Sequence, residues 1–401
     1  MAAASRTQHA PKELGDLPEK ARALISILRE RELKAEADRV LHAETISEIR
    51  DAGLFRVLQP LSYGGFGGTL PDMIDIAYEI GRGSSAAAWI FGNVSLHSWI
   101  IGMFGKAAQD EIWADPDTIT SSCLRPVCTA RPVPGGFMIG GRWPYVSGVD
   151  HTQWTVLGVM LPGDGTSKQP AYALVPRNDY VIHDEWHVSG LAATGSKDLI
   201  IEECFVPEHR VMTAAQANSG KPPGVDLHGV PIYRIPLFSS FSFFIAAPIS
   251  GMGRGAIDQY VETVRGRKTA GGATGGGDVM SNLQAVQLRV GEAEMRVDAA
   301  RALLNRAAMD TMTAADSSAG VSTDQRIRNR RAQTFAARLV TEAVDELYEA
   351  SGASGVFMRD PTQRLWRDIH AGSKHFSLNW DAMRVMCGQY SLGIEPIVRM
   401  Y

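Results

Sequence analysis

The sequence predicts three packed parts: an N-terminal α-helical domain over residues 1–117, a central antiparallel β domain over 118–225, and a C-terminal four-helix bundle over 226–401. Three observations predict it. The apolar period is three to four residues up to about Ala114, switches to short alternating runs as far as about Val211, and returns to three or four after about Phe238. Glycine-rich breaks separate the periodic stretches. A chain of 401 residues is also too long for one ordinary core, so two or three subdomains are expected.

In order, "LPEKARALISILRERELKAEADRV" and "DMIDIAYEIGRGSSAAAWIFGNVSLHSWIIGMF" read as helices, joined by the loop "LFRVLQPLSYGGFGGTLPD". "GGFMIGGRWPYVSG", "QWTVLGVMLPG", "PAYALVPRN", "DYVIHDEWHVSG" and "DLIIEECFVPEHRV" read as strands bounded by turns, which is the texture of a small antiparallel barrel or sandwich. The last part holds roughly four helices ending near Leu392, interrupted by "TAGGATGGGD" and "ADSSAGVS". Its "RDIHAGSKHFSLNWD", Arg367 to Asp381, reads as helix and carries two histidines that packing alone does not require.

Composition narrows the function classes. Forty basic against forty-four acidic residues give a formal charge of −4 without any basic block, so nucleic acid is not an expected partner. Four scattered cysteines, Cys123, Cys128, Cys204 and Cys387, suit a reducing cytoplasm, and with no second Cys/His pair at ligand spacing no metal site is expected. The opening "MAAASRTQHAPKELG" lacks the apolar core of a secretion signal. No run approaches the roughly 20 apolar residues of a membrane span; "FSFFIAAPISGMG" is short and holds a proline. "GMGRGA", Gly251 to Ala256, matches a dinucleotide fingerprint in letters, but no second strand and no ribose-binding acid follow it. Small residues that let helices approach closely explain it better. "GGATGGG" lacks the Lys-Ser/Thr of a phosphate loop and reads as a mobile turn.

Three stretches in fixed order carry a resemblance. "GGRWPYVSGVDHTQW", "GLAATGSKDLIIEECFVPEHRV" and "YEASGASGVFMRDPTQRLWRDIHAGSKH" resemble segments of the acyl-CoA dehydrogenase fold, and the match spans nearly the whole chain. One departure stands out. Where dehydrogenases of the common type carry a catalytic glutamate after the Arg-Asp pair, this chain has Phe376 beside His375. That departure and the "HFSLNWD" ending resemble the two-component flavin-dependent monooxygenases of the same fold, such as the oxygenase components of hydroxyphenylacetate hydroxylase, of the steroid-ring phenol hydroxylase, and dibenzothiophene monooxygenase. The resemblance implies an oxygenase component that receives reduced flavin from a separate NAD(P)H-dependent reductase. Dioxygen then forms a hydroperoxide on the flavin ring, and an aromatic or heteroaromatic molecule such as a phenol or indole is hydroxylated. Two other readings stay open: an acyl-CoA dehydrogenase whose base comes from elsewhere, and a helical scaffold without catalysis.

Imidazole titrates near neutral pH, where a base that holds or removes a phenol proton is effective. His375 is the first candidate for that role. His97 is the second, because the resemblance places a substrate-facing histidine on its helix. Trp89, Asn93 and His97 fall at i, i+4 and i+8, one helical stripe. By resemblance Trp89 contacts the flavin, Ser147 lies near its reactive nitrogen, and Cys123 falls in a neighbouring flavin loop. Strand alternation would put Tyr145 and Ser147 on one face, and Val146 would offer backbone groups to the ring edge if the strand lies at a sheet margin. Arg267 matches an arginine that reaches a neighbouring subunit's flavin phosphates, where a guanidinium presents paired donors. Ala353 and Ser354 match the other phosphate-side contact. Ala270 replaces the phenylalanine that would stack on adenine, which favours reduced FMN over FADH2. The shared site implies a homotetramer. Ile101, Phe241, Phe243, Phe244 and Trp380 are candidate walls for a flat substrate, and Lys374 and Arg125 are candidate cations for a carboxylate.

Overall fold

The computed structural model of the chain describes residues 14–163, 166–269 and 277–396. The start of the chain, the run 270–276 with Ala270 and most of "GGATGGG", and the last five residues lie outside the described residues.

The first part is helical: α1 (Leu17–Ala23), α2 (Ile25–Asp38), α3 (Ala43–Asp51), α4 (Leu70–Gly83), α5 (Ser85–Met103) and α6 (Lys106–Ile112). A capping box, Thr69 with Asp72, starts α4 and satisfies amides that the helix cannot. The Ser84 hydroxyl accepts from the Ala87 amide and so starts α5 one residue after α4 ends. α5 is apolar on nearly all sides, and a helix of that kind has to run through the core. Every one of its residues except Asn93 is buried.

The middle part comprises β1 (Thr120–Cys123), β2 (Arg131–Val133), β3 (Gly136–Val146), β4 (Trp154–Pro162), β5 (Lys168–Pro176), β6 (Val181–His183), β7 (Lys197–Pro207) and β8 (Val211–Thr213). They form two four-stranded sheets, ordered β1-β4-β5-β8 and β2-β3-β7-β6. The pairing is antiparallel throughout except between β1 and β4, which run parallel. The inner faces enclose their own apolar core, with Trp143, Leu157, Val159 and Ile201 at its centre.

After a short α7 (Ala214–Asn218) and α8 (Leu237–Ser240), the third part packs α9 (Phe243–Arg265), α10 (Gln284–Asp316), α11 (Thr323–Ser351), α12 (Pro361–Ser373) and α13 (Trp380–Ser391). The N-terminal and C-terminal helices share one continuous core, so the two helical parts are a single body that flanks the sheets. "GMGRGA" lies in the interior of α9, with no strand before it. A Cβ on Gly251 would stand 2.4 Å from the Tyr78 carbonyl oxygen of α4, and one on Gly81 would stand 2.8 Å from Gly251 itself. The glycines serve backbone-to-backbone packing of α4 on α9.

The stretch from Arg367 to Asp381 is not one helix, as its periodicity suggested. α12 ends at Ser373, Phe376–Leu378 form a 3-10 turn, and α13 begins at Trp380. His375 therefore sits in a loop between two helices.

Candidate active site

The site assembles around the exposed point of α5. Asn93 is the one α5 residue not fully buried, and Trp89 and His97 stand one turn to either side of it. The Asn93 amide donates to the Trp89 carbonyl at 2.8 Å, so its side chain folds along the helix. The ring of His97 is 1% exposed, with Nδ1 2.6 Å from the Thr120 carbonyl oxygen. A carbonyl only accepts, so Nδ1 carries the hydrogen and Nε2 bears a lone pair. That Nε2 is buried without a hydrogen-bond partner. An orphaned acceptor of this kind is the sort of group a ligand satisfies. Burial pushes the His97 pKa down to about 4, the Thr120 bond opposing it only in part, so the ring is neutral at working pH.

His375 stands beside Trp89, between that indole and Phe241. Its ring stacks on Phe241 at 5.7 Å between centroids and meets Trp89 edge-on at 6.1 Å. A Cβ on Gly372 would touch the Trp89 ring at 3.0 Å, so α12 lies directly over that indole. The His375 Nδ1 accepts from the Ser377 amide at 3.3 Å and lies 2.8 Å from the Ser377 hydroxyl. The neutral ring thus carries its hydrogen on Nε2, the tautomer opposite to that of His97. Burial, then the positive charge of Arg330, pushes the His375 pKa down to about 4.

Ser147 joins the cluster through the sheet domain. The Trp89 Nε1–H donates to its hydroxyl at 3.2 Å, and its hydroxyl is 2.8 Å from that of Ser196. Ser196 is 2.7 Å from the Thr194 hydroxyl, which donates to the Leu191 carbonyl at 2.7 Å. The terminal carbonyl orients the chain, so each hydroxyl donates toward Leu191. Thr194 and Ser196 belong to the "T-G-S" stretch, yet sequence reasoning gave them no role. The loop that carries them is pinned to α12, because Asp368 accepts from the Leu191 amide at 2.6 Å and Arg367 donates to the Ser189 carbonyl at 2.5 Å.

Tyr145 and Ser147 do not share a face. Three residue steps from Trp143 to Val146 stand opposite two from Leu199 to Lys197, and this bulge breaks the alternation. Tyr145 takes φ 62° and is 69% exposed, edge-on to Trp186. Val146 is buried and in register with Lys197, although β2 covers only Gly136–Met138 and leaves the far half of β3 open along one edge. Cys123 is partly buried at the end of β1, and burial raises its thiol pKa. Among the walls foreseen, Phe241 lines the cluster, Phe244 stacks on Trp99 in the core, and Trp380 stacks on Phe335. Ile101 and Phe243 are buried, and Lys374 and Arg125 are exposed. His370 bonds Asp345 at 2.7 Å, as a satisfied helix-face residue does.

Arg267 and Ser354 form a second, separate group. The guanidinium donates to the Ser354 hydroxyl and, at 3.4 Å, to the Ser351 carbonyl, with Ala353 exposed beside them. This group sits past the far ends of α9 and α12, away from Phe241 and His375. At 1.5 Å per residue those helices are about 34 and 20 Å long.

Comparisons with known proteins bear on the family and the fold. Residues 19–116 match the family described as acyl-CoA dehydrogenase, N-terminal domain, and residues 243–380 match acyl-CoA dehydrogenase, C-terminal domain. The FADH(2)-dependent resorcinol hydroxylase, oxygenase component, of Rhizobium sp. (strain MTP-10005) is 34% identical over 97% of this chain and 98% of its own. The crystal structure of 3-HSA hydroxylase from Rhodococcus sp. RHA1 superposes with a TM-score of 0.90 at 31% identity, covering 96% of this chain and 99% of that one. XiaF from Streptomyces sp., solved in complex with FADH2 and glycerol, gives 0.87 at 27% identity over 96% and 97%. These relatives support the oxygenase reading and neither of the two alternatives, dehydrogenase or scaffold. The chain belongs to the oxygenase components of flavin-dependent monooxygenases built on the acyl-CoA dehydrogenase fold.

Proposed function

We propose that this oxygenase takes reduced flavin, as FADH2, from a separate NAD(P)H-dependent reductase and hydroxylates a small phenol held between His97 and His375. The observation that carries the reading is the pair of opposite tautomers near Trp89, an unpaired acceptor at His97 Nε2 two turns along its helix and a donor at His375 Nε2–H beside its ring. The residues present suit a flavin. Trp89 and Ser147 offer an indole edge and a hydroxyl at one wall, while the buried His97 Nε2 lacks a partner that the substrate would supply. Ala270 favoured FMN in the sequence; the FADH2 named for two relatives favours the dinucleotide.

Bound reduced flavin supplies the two electrons with which dioxygen is activated, one oxygen atom going to the substrate and the other to water. The chain's own residues prepare the phenol. His97 Nε2 accepts a hydrogen bond from the phenol O–H and thereby raises electron density on the ring carbons beside it. Full proton transfer before reaction is disfavoured: a phenol near 10 against a histidine near 4 is a gap of about six units, roughly 8 kcal/mol. The proton moves as the new carbon–oxygen bond forms. The sequence ranked His375 first as base, but its Nδ1 lone pair is engaged by Ser377, which supports a donor role instead.

Arg267 and Ser354 suit the phosphate side of the flavin of a neighbouring subunit. One flavin ring at Trp89 lies too far along α9 and α12 to meet them within its own chain. Exposed Val356, Phe357 and Met358 follow Ser354 after one glycine, an apolar patch suited to an intersubunit contact. A homotetramer fits this sharing. The decisive experiment supplies FADH2 or FMNH2 from a reductase and screens resorcinol, other phenols and indole by product mass against oxygen consumed. Coupled hydroxylation of a phenol with FADH2 is expected. No hydroxylated product from any phenol, with oxygen ending only as hydrogen peroxide, would remove the reading.

A further inference from the structure

Arg330 of α11 is 1% exposed, yet no carboxylate of the described residues lies within ion-pairing distance of it. Its Nη1 donates to the Ser242 hydroxyl and to Gln333 Oε1 at 3.0 Å. Its Nη2 donates to the Ser377 carbonyl and lies 3.4 Å from Met383 Sδ, while Nε has no partner. A buried guanidinium is costly unless paired. Burial lowers its pKa to about 10, so the charge persists at working pH. Two of its acceptors flank one imidazole. Ser377 binds His375 Nδ1 through amide and hydroxyl, and Ser242 follows Phe241, on which His375 stacks.

Among the described residues Arg330 is the charge that acts on His375. α5 brings Trp89 and the neutral His97, and α8 and the first turns of α9 carry no charged residue. Lys374 is exposed, and the exposed Asp381 of α13 is taken by Arg384. On α12, His370 is bound by Asp345, and Asp368 by the Leu191 amide.

We propose that Arg330 is a positioning residue for His375: its unpaired charge adds to burial in keeping the imidazole neutral, and its grip on Ser377 directs the ring hydrogen to Nε2, so that His375 gives a hydrogen bond to the bound ligand and does not act as a base. A protonated His375 would stand beside a buried cation with its Nδ1–H against the Ser377 amide. Both effects oppose protonation, one by charge and one by geometry. The proposal deepens the oxygenase reading by assigning the donor half of the site.

Residue-resolved exchange of the histidine C2 hydrogen, followed by mass spectrometry on the full chain without flavin, reads the titration of His375 directly. The parent protein should show a His375 midpoint below pH 5. Arg330→Gln, and Arg330→Met as a second variant in case the first does not fold, should raise it by about 1 pH unit or more. Arg330→Lys, which keeps the charge, should stay with the parent. A parent midpoint near the ordinary 6.5, or an unmoved midpoint in the Gln or Met variant, overturns the proposal. Because the measurement needs neither flavin nor substrate, its failure leaves the oxygenase reading standing, and a failed phenol screen leaves this one standing.

Discussion

His97 shows how one side chain can be tested without disturbing its surroundings. Asparagine places an amide nitrogen where Nδ1 stands, so His97→Asn keeps the donor that satisfies the buried Thr120 carbonyl and deletes only the Nε2 acceptor. Hydroxylation should fall by about 10²–10⁴-fold, the range of a lost general base, while FADH2 affinity by anaerobic titration stays within a few-fold. A variant that hydroxylates at the parent rate would exclude His97 as the acceptor. The same substitution has a signature in stability. The folded pKa of about 4 lies below the ordinary 6.5, so the unfolded chain binds more protons in between. The contribution is complete above about pH 6.5 and is lost as pH falls toward 4. From pH 7 to 5 the loss is about 2 kcal/mol for this one group. Glu32 and Asp368, raised to about 7 and about 6 by burial, slope the other way, so the parent's total is a balance. The difference between parent and His97→Asn isolates the histidine. Urea unfolding at pH 7 and at pH 5 should show the variant losing about 2 kcal/mol less than the parent over that interval.

Elements were legible in the sequence where a local pattern decided them, and opaque where a distant contact did. The long period of α4, α5, α9, α10 and α11 announces helix, and the small residues of "GMGRGA" announce close packing, which α4 and α9 realise at Gly81 and Gly251. Gly251→Ala should therefore destabilise the fold by about 1–3 kcal/mol, because the added methyl meets backbone that cannot rotate away. Equilibrium unfolding of parent and variant checks it, and an unchanged midpoint would mean the helices can separate there. The break after Ser373 had no such announcement. No proline stands near it, and the glycine at 372 lies inside α12; the turn at His375 is held by the Arg330 bond to the Ser377 carbonyl, a contact 47 residues away. The bulge that separates Tyr145 from Ser147 was hidden for the same reason, since its register is set across β7. Trp89 and His97 were singled out by resemblance and share one helical stripe, and Phe241 by its aromatic ring. Ser196, Thr194 and Arg330 went unassigned because hydroxyls and arginines are common, and only their placement gives them meaning.

On the scale of the whole molecule, the two ends of α9 and α12 set the problem. The group at Trp89, Ser147 and His375 and the group at Arg267 and Ser354 lie at opposite ends of those helices, and the proposed sharing of one flavin between subunits rests on that separation. Arg267→Ala removes charge-assisted donors and should weaken FADH2 binding about 10-fold to 100-fold, whereas His97→Asn leaves binding intact and stops the chemistry. Each variant alone carries the same defective half at every site. Co-expression of the two changes the count. A subunit with intact His97 then meets a neighbour with intact Arg267 at about a quarter of the sites, by random pairing in a closed symmetric assembly. Hydroxylation at limiting FADH2 should recover to about a quarter of the parent rate, well above the mean of the two homogeneous variants. If both halves of the site came from one chain, every subunit in the mixture would carry one lesion, and the mixture would show no more than that mean.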